Sequence, residues 1–201
     1  MSASCNHFDY VNIDLLIASP QPTFNMPSTS PAQALLNKAD KKANSSTGWF
    51  SSQSSKYEEA GDLYQHAANA FKIDKQFREA GDAHAREAEC REKCKESNDA
   101  ANAWWNAAKA YKRGYPERKP HPLDTGSASS LPTVAIQALS QTITHLTTSG
   151  RFRQAADREK EIGQIYQHEL HDLRKACESL ERAADWYSQE DATAFVPLCS
   201  Q

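Results

Sequence analysis

Small and apolar residues recur along the chain with helical spacing, in blocks that restart about every 20 residues. Ala60, Leu63, Tyr64, Ala67, Ala68 and Phe71 occupy i, i+3, i+4, i+7, i+8 and i+11, one face of a helix. Phe77, Gly81, His84, Ala85 and Ala88 line the next block, and Ala100, Trp104, Ala107, Ala108 and Tyr111 the third. Two blocks open on the same tetrapeptide, Glu-Ala-Gly-Asp at 59–62 and 79–82, and the third on Asp99-Ala100-Ala101-Asn102. Later blocks start near Ala135, Ala155 and Ala176. Each block is one helix plus its turn, so two make a helical hairpin. The pattern predicts an all-α, TPR-like right-handed solenoid of antiparallel helical hairpins, a scaffold for binding rather than a catalytic pocket. Trp104 and the other aromatics are expected to fill the gaps between neighbouring hairpins.

One more helix precedes the repeat. Ser30 suits its N-cap and Pro31 its first turn, and Ala32, Leu35, Leu36, Ala39 and Ala43 share a face. Residues 1–31, punctuated by Pro20, Pro22, Pro27 and Pro31, read as a disordered N-terminal extension, with Met26 a candidate start. A second break falls at 114–134, which holds Pro116, Pro120, Pro122 and Pro132. The step from Ala100 to Ala135 is 35, and removing the 17 residues 118–134 would reduce it to 18. Residues 118–134 therefore read as a flexible loop inserted at a tight turn, with the look of translated intron. The solenoid spans 32–193, and 194–201, which contains Pro197, reads as an irregular tail.

Composition narrows the function. The net charge is −3, with no basic excess to suggest nucleic acid. Five irregularly spaced cysteines argue against a disulfide framework and for a reducing compartment. No apolar run approaches the ~18 residues of a membrane-spanning helix. Val11–Ala18 is interrupted by Asp14 and follows no basic residue, unlike a signal peptide.

Catalytic motifs are weak. Asp124-Thr125-Gly126-Ser127 matches the aspartic-protease tetrad, but it occurs once, and that chemistry needs two carboxylates sharing a proton. His168 and His171 are i, i+3, whereas a zinc helix needs i, i+4. Cys90 and Cys94 share a helix face with no second pair to complete a tetrahedral metal site. The chain is therefore expected not to be an enzyme and to carry no catalytic, cofactor-binding or metal residues.

Two features suit binding. Trp49 and Phe50 sit in a Ser-rich loop, residues 44–55. They either fold back on the first hairpin as an anchor or form an apolar tip for a bilayer interface. Cations gather in two groups, Lys109, Lys112 and Arg113, and Arg151, Arg153, Arg158 and Lys160. They form either a solvated face or a grip for an acidic helical partner.

Several segments, in order and at matching spacing, resemble the soluble NSF attachment protein (alpha-SNAP) family, in its fungal form. They are Thr47-Gly48-Trp49-Phe50-Ser51-Ser52, Tyr57-Glu58-Glu59-Ala60-Gly61-Asp62-Leu63-Tyr64, Ala100-Ala101-Asn102-Ala103-Trp104-Trp105, Gly150-Arg151-Phe152 and Glu161-Ile162-Gly163-Gln164-Ile165-Tyr166. The resemblance covers about 32–117 and 135–193. It implies a cytoplasmic adaptor, peripheral on membranes, that binds assembled SNARE bundles and recruits the hexameric ATPase NSF. By position it implies membrane contact at Trp49 and Phe50. It implies SNARE binding at Lys112, Arg113 and Arg151, with Arg158 as a poor substitute for a basic residue that Asp157 replaces. The family continues past this chain's last residue into an ATPase-contacting C-terminus, so the chain reads as a truncated member. The alternative is a general TPR-like scaffold for another peptide.

Overall fold

The computed structural model of the protein describes residues 30–46, 52–114 and 131–195. They form seven α-helices with no strand among them: α1 (Pro31–Asn44), α2 (Gln53–Ile73), α3 (Phe77–Lys93), α4 (Ser97–Arg113), α5 (Leu131–Thr148), α6 (Phe152–His168) and α7 (Leu173–Phe195). Each packs chiefly on the helix before and the helix after it. This is the nearest-neighbour pattern of a solenoid.

Polar bridges that skip one helix place odd and even helices in two layers. Arg86 of α3 meets Asp40 of α1, and His145 of α5 meets Glu92 of α3. In the other layer, Lys112 of α4 meets Glu161 of α6.

Alanine makes the layers close. Ala60, Ala67, Ala68, Ala80, Ala100, Ala107, Ala108, Ala135 and Ala155 are all fully buried. A methyl side chain lets helix axes approach without leaving voids. Bulk enters where α4, α5 and α6 meet, with Tyr111, Leu131, Leu139, Ile143, Leu146, Ile162 and Ile165 in one core cluster. Trp104 is only half-buried, at the rim of this cluster, because its indole N–H donates to Glu92 Oε1 at 2.7 Å.

Three turns share one geometry. Lys75, Lys95 and Gly150 all have positive φ. The next amide reaches back five residues: Gln76 N–H to Phe71 O, Glu96 to Arg91 and Arg151 to Leu146, at 2.8–3.0 Å. Each positive-φ residue also bonds three back, which completes a Schellman motif. The residue that closes the turn is at once the N-cap of the next helix. Gln76, Glu96 and Arg151 therefore cap α3, α4 and α6 with no side-chain bond. At α1 and α2 the cap is a side chain instead, the hydroxyls of Ser30 and Ser52.

A tyrosine clasp also recurs. Tyr64 of α2, Tyr111 of α4 and Tyr187 of α7 each donate a phenolic proton to a carboxylate of the preceding helix. The acceptors are Asp40 at 2.6 Å, Asp82 at 2.8 Å and Asp157 at 2.6 Å.

Two boundaries differ from the sequence expectation. α5 begins at Leu131, so 131–134 are helical rather than part of an inserted loop. Pro132 lies in its first turn, where a missing N–H breaks no bond. Leu131 is buried in the core cluster. α7 continues to Phe195, past the expected solenoid limit of 193.

Candidate functional site

The even-numbered helices carry a cationic surface centred on Trp105. Lys109 lies one turn along α4, and its Nζ sits 3.8 Å from the indole ring centroid. The Arg158 guanidinium, from α6, sits 4.3 Å from the same ring. The half-buried indole thus carries two cations, one from its own helix and one from α6. Its N–H is buried and meets no acceptor.

Glu161 is the acidic member of this cluster. Its carboxylate accepts from Lys112 Nζ at 3.0 Å and from Arg158 Nη1. Lys72 of α2 extends the surface. Burial and then repulsion by Lys109 push its ammonium below the usual lysine range. Lys109 is lowered as well, by burial and then by Arg158, with Glu161 pulling the other way. Arg113 is exposed and lies over the Phe77 ring at 5.2 Å. Lys112 and Arg113 also occupy the last turn of α4, where cations complement the helix dipole.

The expected site residues do not all gather. Lys112 and Arg158 meet through Glu161, and Arg113 lies beside Lys112 in the last turn of α4. Arg151 lies at the opposite end of that helix, with its Nη1 3.4 Å from Asn98 Oδ1. Trp49, Phe50 and the Asp124 tetrad lie outside the described residues. His168 ends α6 and His171 sits at positive φ in the turn beyond it, both exposed. Cys90 is buried beside Ala39, Ala60 and Tyr64, and burial raises its thiol to about 11. Cys94 is half-buried, its Sγ 3.4 Å from Ser54 O.

Asp157, read as a lost basic contact, has a different task. It accepts the Tyr187 hydroxyl and, by this bond first, raises that phenol above its usual range. Sequence reasoning missed Trp105 and Glu161. The i, i+4 spacing of Trp105 and Lys109 was available as a signal. The contacts to α6 were not, since they join residues about 50 positions apart and depend on helix register.

The model of a protein family described as soluble NSF attachment protein, SNAP, matches residues 30–201. The vesicular-fusion protein SEC17 of Coprinopsis cinerea is 68% identical over 170 residues, covering 85% of this chain and 53% of that protein. The alpha-soluble NSF attachment protein of Homo sapiens is 33% identical over 171 residues, covering 84% of this chain and 52% of its own length. That of Saccharomyces cerevisiae is 31% identical over 169 residues, covering 82% and 53%. The chain spans about half the length of these curated relatives.

Proposed function

The chain belongs to the soluble NSF attachment protein family, and we propose that it works as a non-catalytic adaptor of SNARE disassembly in vesicle fusion. Its even-helix face lies against an assembled SNARE bundle. Trp49 and Phe50 touch the membrane surface, and an NSF-type ATPase is the partner that acts on the bundle.

The observation that carries this reading is the cluster around Trp105. Lys109 and Arg158 cover one indole, Lys112 joins them through Glu161, and Lys72 of α2 lies close enough to be repelled by Lys109. Crowded cations with depressed ammonium groups are a surface that an acidic helical bundle would relieve. Tryptophan and arginine in a partly desolvated patch are also the residue types that dominate interface energetics. Arg113 flanks the cluster, and Arg151 contacts the bundle farther along α4.

Capture of a purified assembled bundle, compared with single unassembled SNAREs, tests the reading. The chain should retain the bundle at low salt and lose it as salt rises, because partly exposed pairs are screened over ~8 Å at physiological ionic strength. Equal retention of single SNAREs would favour the general peptide scaffold instead.

Membrane contact has its own test. Replacing Trp49 and Phe50 by Ser should reduce co-flotation with liposomes and leave bundle binding in solution intact. Equal flotation of both proteins would remove the loop from the membrane surface.

A further inference from the structure

The cationic face is partly neutralised from within. Glu161 is one-fifth exposed, and its carboxylate takes hydrogen bonds from Lys112 on α4 and Arg158 on α6. These are two of the cations that the adaptor reading assigns to the partner. The same Arg158 guanidinium covers the ring of Trp105. One carboxylate thus ties down two cations and, through Arg158, covers part of the central aromatic. The nearby Lys109 and Lys72 have no hydrogen-bonded carboxylate of this kind among the contacts around the indole and repel one another.

We propose that Glu161 is a built-in brake on partner binding, occupying the place that a carboxylate of an acidic helical bundle would take. The proposal rests on the adaptor reading and adds a mechanism to it. Docking exchanges one carboxylate for another: Lys112 and Arg158 release Glu161, engage the partner and uncover Trp105. Exchange keeps the cations paired at every stage, so they are not left desolvated and unpaired. Its cost is affinity, because part of the attraction replaces a bond already made. The residual charge of Glu161 also repels the incoming acidic surface. Such a face binds acidic partners weakly unless several carboxylates arrive together, which an assembled bundle provides and a single acidic helix does not.

The test is Glu161→Gln, which keeps the side chain's size and its acceptor oxygen but removes the charge. Titrated with a purified assembled SNARE bundle at low salt, the variant should bind roughly 3- to 10-fold more tightly than the parent. Its affinity should fall more steeply with salt, and its preference for the bundle over a single SNARE helix should shrink. Binding by the parent with equal or weaker binding by the variant would overturn the brake and leave the adaptor reading standing. Weaker binding would mean that Glu161 positions the cations for the partner. Failure of both proteins to bind would overturn the adaptor reading and the brake together.

A second measurement needs no partner. Glu161 pulls the Lys109 ammonium upward, so in the variant the Lys109 side-chain NMR signal should titrate at lower pH than in the parent. An unchanged titration would place the carboxylate away from the cluster and overturn the proposal. Thermal unfolding of Glu161→Gln, and of Glu161→Met as an apolar variant of similar length, checks that both proteins fold.

Discussion

The repeated tetrapeptide Glu-Ala-Gly-Asp shows how one sequence can serve two packing tasks. At Gly81 an added Cβ would lie 2.4 Å from Cε1 of Tyr111, whose buried ring crosses the helix and reaches Asp82. At Gly61 the nearest atom would be the flexible Arg91 Nε at 3.3 Å. Gly81→Ala should therefore overpack a fixed ring, at up to about 3 kcal/mol. Better helix propensity returns about 1 kcal/mol, which leaves a net loss of about 1–2 kcal/mol in urea unfolding. Gly61→Ala should be near neutral or slightly stabilising. A stabilised Gly81→Ala would show that Tyr111 has room to move. The Schellman turns allow a complementary test. Lys95 holds φ 64°, a conformation that glycine adopts without steric cost. Lys95→Gly should raise stability by up to about 1 kcal/mol, less what the unfolded chain gains in freedom. A clear loss would indicate that the Lys95 side chain holds the turn.

At the scale of the element, the small-residue stripes made the helices legible, because buried alanines at helical spacing leave few alternatives to close helix packing. Ala60, Ala67 and Ala68 on α2 and Ala100, Ala107 and Ala108 on α4 are core residues as their spacing implied. The start of α5 was not legible. Pro132 reads as a breaker in the interior of a segment and as an ordinary first-turn residue once the helix begins at Leu131. Only the tertiary contacts of Leu131 with the α4–α6 core distinguish the two. Leu131→Ala should accordingly cost about 2 kcal/mol or more, as for a buried leucine. A change within ~0.5 kcal/mol would return 131–134 to the preceding loop. The candidate site was legible in part for a similar reason. Lys112 and Arg158 could be named as cations, but their convergence on Glu161 and Trp105 depends on how α4 and α6 are stacked.

For the whole molecule, the layered arrangement separates two kinds of surface. Both layers are bridged internally, the odd one through Asp40–Arg86 and Glu92–His145 and the even one through Lys112–Glu161, but they differ in the charge they present. The even layer holds the Trp105 cluster, and under the proposed adaptor reading its cations are where an acidic helical bundle would gain most. The central claim is that this face, and not the general charge of the chain, binds the bundle. Association kinetics measure it directly, because steering by charge changes on-rates most. The comparison is between Lys109→Glu/Lys112→Glu on the even layer and Lys93→Glu, an exposed residue of α3 in the odd layer. The account predicts at least a roughly tenfold slower association with the assembled SNARE bundle for the double reversal at low salt. It predicts little change for Lys93→Glu, with both proteins folded by circular dichroism. Equal slowing by both variants, or parental kinetics in the double reversal, would contradict it.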